Sequence, residues 1–336
     1  MKVIENASLF SYNSFHLEAK AKTLLILEKE EEIAPAFSHF YQSTLPFLVL
    51  GGGSNTLFSR DFPGIIFQMG NKGMDHQEKD DYFEVNAQAG ENWNDLVQYC
   101  LKFNIGGLEN LSLIPGTVGA APVQNIGAYG VELKDYFYRL KAFHINRKEF
   151  RWFSLEECGF GYRNSVFKTD LKGQYIISSL SFRFPKKQRL HTEYGIIKQE
   201  LDREGIHTPN ISDISRIVSR IRQEKLPDPK TIGNAGSFFK NPVVSQQTVN
   251  NLLEKYPDIV YYPHEDQFKL AAGWMIEKSG WKGKSKGQVG TWKNQALVLV
   301  NLGGATGSDI LDFAKTIIQS VFEKFQVNLE MEVNII

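Results

Sequence analysis

The chain has 336 residues, 42% hydrophobic and 23% charged, the balance of an ordinary soluble globular protein long enough for two or three cores. Lysine plus arginine and aspartate plus glutamate both number 38, so the formal net charge is zero, and a polyanion such as nucleic acid is not an expected partner. Cys100 and Cys158 form no C-x-x-C pair, no apolar run reaches membrane-spanning length, and the first residues lack a signal-like hydrophobic core; the expectation is a cytoplasmic protein without membrane association or disulfides.

In chain order, strands dominate the first half. "FLVLGGGSN" is a short apolar run closing on glycines, "GIIFQM" follows, and "YFEVNAQAG" and "QYIISSLSFRF" are rich in β-formers. Between the last two, "ENWNDLVQYCLKF" reads as a helix with Trp93, Leu96, Val97 and Cys100 on one face. "SDISRIVSRIRQEKLPDP" reads as another, with Ser212 as N-cap, a stripe of Ile214, Ile217, Val218 and Ile221, and an end enforced by Pro227 at a domain boundary. Helices near "QQTVNNLLEKY" and "AAGWMIEKSG" and a strand at "ALVLVNL" come next. A long helix from Ser308 lines up Ile310, Ala314, Ile317 and Val321. Alternation in "NLEMEVNII" places Leu329, Met331, Val333 and Ile335 on one strand face, with Glu330, Glu332 and Asn334 on the other. The order is α+β in several domains rather than a regular βαβ series.

Five stretches carry chemistry. "LGGGSNTLF" follows a strand, and its glycines would let backbone N–H groups approach an anion; it lacks the G-x-G-x-x-G spacing and a following helix, and it serves equally well as a tight turn. "LSLIPGTVGAAPVQNIGAYG" is a long irregular segment almost without charge, so it is expected to pack against something: a large flat ligand, or a buried crossing of the chain. "GFGYRNSVFK" holds Arg163 among aromatics, as a carboxylate or phosphate clamp or as a structural ion pair. "RQEKLPDP" puts Arg222 and Lys225 at a helix end, where the dipole alone would favour them. "GNAGSFFKNP" sets Ser237 between small residues and two phenylalanines, without the elbow of a hydrolase nucleophile. The seven histidines form no ligand pair at helical spacing, so no metal is expected.

Together, "GGGSN", "IPGTVGAAPVQNIGAYG", "GYRNSVFK", "KLPDP", "GNAGSFFKNP", "AGWMIEKSG", "NQALVLVN" and "LEMEV" closely resemble the UDP-N-acetylenolpyruvoylglucosamine reductase family (UDP-N-acetylmuramate dehydrogenases) from near Asn13 to Glu332. "HTEYGIIKQEL", around Tyr194, resembles the tyrosine-bearing loop of the family's longer subtype, which closes over substrate. The resemblance implies a vanillyl-alcohol-oxidase-type FAD-binding fold of two α+β domains, residues 1–70 and 71–226, plus a third α+β domain for substrate, residues 227–325; the end of the chain, 326–336, would return to the first. It implies FAD as cofactor, NADPH as co-substrate, a UDP-sugar substrate and a monomer. Gly51, Gly52, Gly53, Ser54 and Asn55 would hold the FAD pyrophosphate. Pro115, Gly116, Gly119, Ala120, Ala121, Asn125, Gly127 and Tyr129 would run along the isoalloxazine and ribityl parts. Some members carry serines where this chain has Ala120 and Ala121, which leaves those contacts to backbone N–H groups.

The implied reaction is reduction of an enol ether in peptidoglycan precursor synthesis: hydride reaches the substrate's terminal carbon, and the neighbouring carbon becomes carbanionic and spreads its charge into a carboxylate. Such an enolate needs cationic or hydrogen-bonding partners and a proton for carbon. Arg163 and Glu332 match the family residues that serve the enolate, and Ser237 matches the proton donor. Tyr162, Tyr194, Arg222, Lys225, Asn241 and Gln295 match or lie near positions that hold the nucleotide-sugar, with Lys225 facing the diphosphate. Alternation alone cannot choose between Glu330 and Glu332; only the motif picks Glu332.

Overall fold

The computed structural model describes residues 1–40, 45–187 and 189–336. Contacts divide the chain into two units: Met1–Ala7, Ala21–Gly52 and Pro63–Arg222 in the first, and Ser8–Lys20, Gly53–Phe62 and Gln223–Ile336 in the second. The division falls inside the first glycine run, between Gly52 and Gly53, and just before the Pro-Asp-Pro segment. Both units mix helices and strands, the α+β class expected.

The first unit is built on two sheets. One has the order Lys2–Ser8, Lys20–Leu27, Phe62–Met69, Phe47–Leu50, the last two strands parallel. The other is antiparallel, in the order Glu149–Ser154, Phe137–His144, Tyr175–Pro185, Tyr82–Gln88, Met74–Glu78. The helix Trp93–Lys102 starts where the Asn92 Oδ1 accepts the N–H groups of Asn94 and Asp95 at 2.8 and 3.2 Å. Its stripe of Trp93, Leu96, Val97 and Cys100 is buried as expected, in a core with Val85, Leu180 and Phe182. Burial of each such side chain contributes about 1.5–3 kcal/mol, so the face rather than helix propensity holds this element.

The helices Gly195–Glu204 and Ile211–Lys225 share a smaller core of Ile197, Leu201, Ile214, Ile217, Val218 and Ile221. Here the expected cap shifts. Asn210, not Ser212, starts the second helix: its Oδ1 accepts the N–H groups of Ser212 and Asp213 at 2.8 and 3.1 Å. Asp213 reciprocates by accepting the Asn210 N–H at 3.0 Å, which leaves Ser212 inside the first turn.

In the second unit, an antiparallel sheet of order Gly233–Ser237, Gln295–Asn301, Val289–Trp292, Ser285–Lys286 carries the core. The helix Gly307–Phe325 lays Ile310, Ala314, Ile317 and Val321 into that core beside Phe238, Phe239, Leu299 and Met275. Thr306 caps it in a capping box with Asp309. The final segment departs from the expected strand. Met331 makes one bridge to Phe239, and only Asn334–Ile335 is a strand, parallel to Thr56–Leu57. Leu329 and Val333 are buried but Ile335 is exposed, so alternation holds only as far as the change of partner. Among the described residues no helix is long and apolar enough to cross a membrane, and no group of three or more metal-ligating side chains occurs.

Candidate active site

In the first unit the uncharged loop is packed, as its composition implied: of residues 111–130 only Pro115 and Gly130 are exposed. It is tied along its length to the start of the helix Trp93–Lys102. Trp93 N–H donates to the Gly116 carbonyl at 3.0 Å, Val118 N–H to Glu91 at 2.8 Å and Gly119 N–H to Ala89 at 2.9 Å. A 3-10 turn, Val118–Gln124, ends at Asn125, whose φ of 43° is left-handed. Asn125 is fully buried and its amide is fully used: Nδ2 donates to Glu132 Oε2 and the Gly161 carbonyl, and Oδ1 accepts the Lys134 N–H. What it can offer a ligand is therefore backbone. The hairpin Gly127–Ala128 to Val131–Glu132 then turns through Tyr129 and Gly130, both at positive φ (50° and 83°), the mirror-image turn usually made by Asn-Gly. A tyrosine held there stores strain, a feature that clusters at binding sites.

The two glycine segments expected to hold one cofactor meet within this unit. A Cβ on Gly51 would lie 2.8 Å from Ala120 Cβ and 2.8 Å from Thr117 Oγ1, and one on Gly52 would lie 3.3 Å from Gly116 Cα. A side chain at either position would crowd the opposing loop, so glycine lets the two segments approach closely, as in surfaces that present N–H groups to a phosphate. The residues present fit an FAD on this observation. Ala121 belongs to the core, so its side chain packs inward.

Arginines gather beside the loop. Arg163, at a φ of 52°, donates from Nη2 to the Gly127 carbonyl at 2.9 Å and lies 5.7 Å from the Tyr162 ring centre. Arg222 has no hydrogen-bond or ion-pair partner among the described residues, and its Nε is buried. Burial lowers its pKa, Tyr129 opposes that, and the charge of Arg163 adds to the lowering. Arg222 remains a cation at any working pH, and a half-buried cation with no hydrogen-bond or ion-pair partner among the described residues is suited to an anionic ligand. The Tyr129 phenol is pushed up, chiefly by burial, and its ring meets that of Tyr194 edge-on at 5.5 Å.

In the second unit Ser237 ends the strand Gly233–Ser237, where a bulge between Asn234 and Ser237 and a left-handed Gly236 (φ 68°) redirect the chain. Phe238 and Phe239 are buried anchors on its far side, with Phe238 edge-on to Phe15 at 6.2 Å. They make the seat rigid. They do not make it dry, because Ser237 itself is exposed. Asn234, which the sequence did not single out, fixes the bulge: Oδ1 accepts the Gly236 N–H at 2.9 Å and Nδ2 donates to Pro227 and Ile232 carbonyls at 3.2 and 2.8 Å.

Glu332 runs beside this serine, its N–H donating to the Phe238 carbonyl at 2.8 Å. Asn55 Nδ2 in turn donates to the Glu332 carbonyl at 3.4 Å, across 277 positions of sequence. The two candidate glutamates are thereby separated. Glu330 pairs with Lys240 at 2.9 Å with its side chain 73% exposed, whereas Glu332 is half-buried beside the serine segment. Lys225 ends its helix half-buried, with no ion pair among the described residues. Asn241 Oδ1 accepts the Ala272 N–H at 3.0 Å and Gln295 Oε1 accepts the Leu297 N–H at 3.3 Å, which leaves their amide NH₂ groups as donors.

Comparison with known proteins finds relatives over the full length. Residues 228–336 match the family model described as the UDP-N-acetylenolpyruvoylglucosamine reductase C-terminal domain, and residues 21–144 match one described as an FAD binding domain. The UDP-N-acetylenolpyruvoylglucosamine reductase of Pseudomonas syringae pv. syringae is 45% identical, covering 100% of this chain and 99% of that protein. That of Bdellovibrio bacteriovorus is 46% identical, covering 99% of each. The crystal structure of the Thermus caldophilus reductase, 24% identical, superposes with a TM-score of 0.66 over 99% of this chain and 98% of its own, a likeness of fold.

Proposed function

The chain belongs to the UDP-N-acetylenolpyruvoylglucosamine reductase family, and from that premise we propose how its own residues perform the family's reaction. It is an FAD-dependent oxidoreductase that uses NADPH to reduce UDP-N-acetylglucosamine enolpyruvate to UDP-N-acetylmuramate, a step of peptidoglycan precursor synthesis. In our reading it works as a cytoplasmic monomer, with residues 1–70 and 71–226 serving FAD and 227–325 serving substrate.

Gly51 to Asn55 and the 115–129 loop would hold FAD through backbone N–H groups, and FAD supplies hydride once NADPH has reduced it. Hydride on the terminal carbon leaves an electron pair on the neighbouring carbon, delocalised into the carboxylate. Arg163 pairs with the carboxylate oxygens, a charge-assisted contact that strengthens as charge accumulates there. Glu332, when protonated, donates a second hydrogen bond to the same oxygens. Ser237 delivers its hydroxyl proton to the carbanionic carbon and is reprotonated from solvent. A serine hydroxyl is a weak acid, but a carbanion is a far stronger base than water, so placement matters more than a lowered pKa. Lys225, without an acid partner among the described residues, would face the diphosphate, while Arg222, Tyr162, Tyr194, Asn241 and Gln295 would hold the rest of the nucleotide-sugar.

The observation that carries this assignment is the seat of Ser237: an exposed hydroxyl on a bulge pinned by Asn234 and two buried phenylalanines, with Glu332 hydrogen-bonded alongside. An anaerobic absorption titration tests it. The oxidised flavin band should bleach with NADPH and return on adding the enolpyruvyl substrate. A band that stays bleached, or peroxide formation as the main fate of NADPH in air, would replace the reductase reading with an oxidase one.

A further inference from the structure

We propose that Asn110 is a positioning residue that fastens the segment bearing Tyr194 to the 111–130 loop, and so sets Tyr194 in place for the nucleotide-sugar; this rests on the reading of Tyr194 as a substrate contact. Asn110 is fully buried (0% exposed). Both hydrogens of its amide are used on carbonyls from two distant parts of the first unit. Nδ2 donates to Tyr129 at 2.9 Å and to His191 at 2.9 Å, 19 and 81 positions away. Only an NH₂ group can satisfy two carbonyls at once, so the orientation of the amide is settled by its partners.

Asn110 Oδ1 is buried and has no partner among the described residues, a state that weakens a fold. An apolar side chain of similar shape would remove that one orphan but leave the two carbonyls without their donor. What asparagine adds is a fixed distance between two carbonyls. One belongs to Tyr129, held at a left-handed φ of 50°. The other belongs to His191, three residues before Tyr194, a span of at most about 10 Å of chain. The two tyrosine rings meet edge-on at 5.5 Å, and the Tyr129 phenol lies within electrostatic reach of Arg222. Asn110 thus holds the backbone under one ring and the root of the segment that carries the other.

The test uses the holoenzyme with Asn110→Leu, which keeps the shape and removes the donors, and Asn110→Ala in parallel should the first fold poorly. Expected are a KM for UDP-N-acetylglucosamine enolpyruvate raised about five- to tenfold, the size of a lost hydrogen bond, and a kcat within about twofold. Trypsin cleavage at Lys186, Lys187 or Arg189 without substrate should be faster than in the parent, a change that needs no turnover to be seen. Combining Asn110→Leu with Tyr194→Ala separates the possible failures. If Asn110 acts through Tyr194, the double variant has the KM of Tyr194→Ala alone. Additive effects, or an unchanged KM in Asn110→Leu beside a raised one in Tyr194→Ala, overturn the proposal. An unchanged KM in Tyr194→Ala itself would instead overturn the reading of Tyr194.

Discussion

Gly51→Ala addresses the cradle most directly. The added methyl would sit 2.8 Å from Ala120 Cβ, where carbon atoms prefer about 3.5–4.0 Å. It would also sit 2.8 Å from Thr117 Oγ1, so moving away from one contact does not relieve both. The opposing loop cannot retreat, because Val118 and Gly119 are bonded at 2.8 and 2.9 Å to Glu91 and Ala89, and a Cβ position on Gly119 is already 2.5 Å from Ala89 Cβ. Overpacking of this kind costs about 1–3 kcal/mol. If that cost falls on the cradle, the Kd for FAD rises about 5- to 150-fold. The assay is reconstitution of the apoprotein with FAD followed by fluorescence quenching, with the melting temperature measured with and without FAD. Gly195→Ala, at a position with nothing within 4 Å, is the control and should bind FAD normally. Normal FAD affinity in Gly51→Ala together with a lowered melting temperature would make the glycine run a structural turn and nothing more.

Three further outcomes are expected. Lys225→Ala should weaken binding of the enolpyruvyl substrate about 10- to 150-fold, the loss of a charge-assisted contact of about 1.5–3 kcal/mol; unchanged affinity in a fluorescence titration would return Lys225 to simple helix-end placement. Glu330→Ala should leave turnover intact and shift stability by no more than about 1 kcal/mol, as befits an exposed pair with Lys240, whereas Glu332→Ala, which removes the donor, should slow substrate reduction; the reverse pattern would reassign the role. Burial holds the pKa of Glu109 above its ordinary value against the opposing hydrogen bond from Gly107 and the nearby His191. The folded state then keeps a proton that the unfolded state has released, so this stability is present below the unfolded pKa and is lost as pH rises through the folded one. Glu109→Gln should therefore gain on the parent in melting temperature at about pH 8 and lose that gain at about pH 4; a constant difference at both would exclude titration of Glu109 as the cause.

What the sequence showed was whatever repeats with a helical period or lies in a contiguous motif. The stripes through Trp93, Ile214 and Ile310 were legible because one buried face determines each helix. The cap at Asn210 was missed because it lies one turn before the stripe, where Ser212 looked equally competent. The last strand was overextended because alternation carries no record of the partner, and here the chain moves from Phe239 to Thr56–Leu57 within a few residues. The assignment of Ser8–Lys20 and Gly53–Phe62 to the second unit has no local signal at all; it arises from pairings such as the Asn234 N–H with the Ser14 carbonyl, at 2.8 Å. Within the candidate site, the glycines, arginines and the serine were picked out by motif. The asparagines that position them, Asn110 and Asn234, did not, because asparagine in a loop reads as a turn residue until its partners are known.

The central claim is that Ser237 gives a proton to substrate carbon, and stopped-flow absorbance of the flavin in Ser237→Ala tests it by separating the two half-reactions. Reduction by NADPH requires no such proton, so the flavin should bleach at close to the parent rate. Reoxidation by the enolpyruvyl substrate should slow by about 10²–10⁴-fold, the range of general acid catalysis, and Ser237→Cys, which keeps a transferable proton, should retain more of it. Equal slowing of both halves would reduce Ser237 to shaping the pocket, and untouched reoxidation would mean that the proton comes from elsewhere.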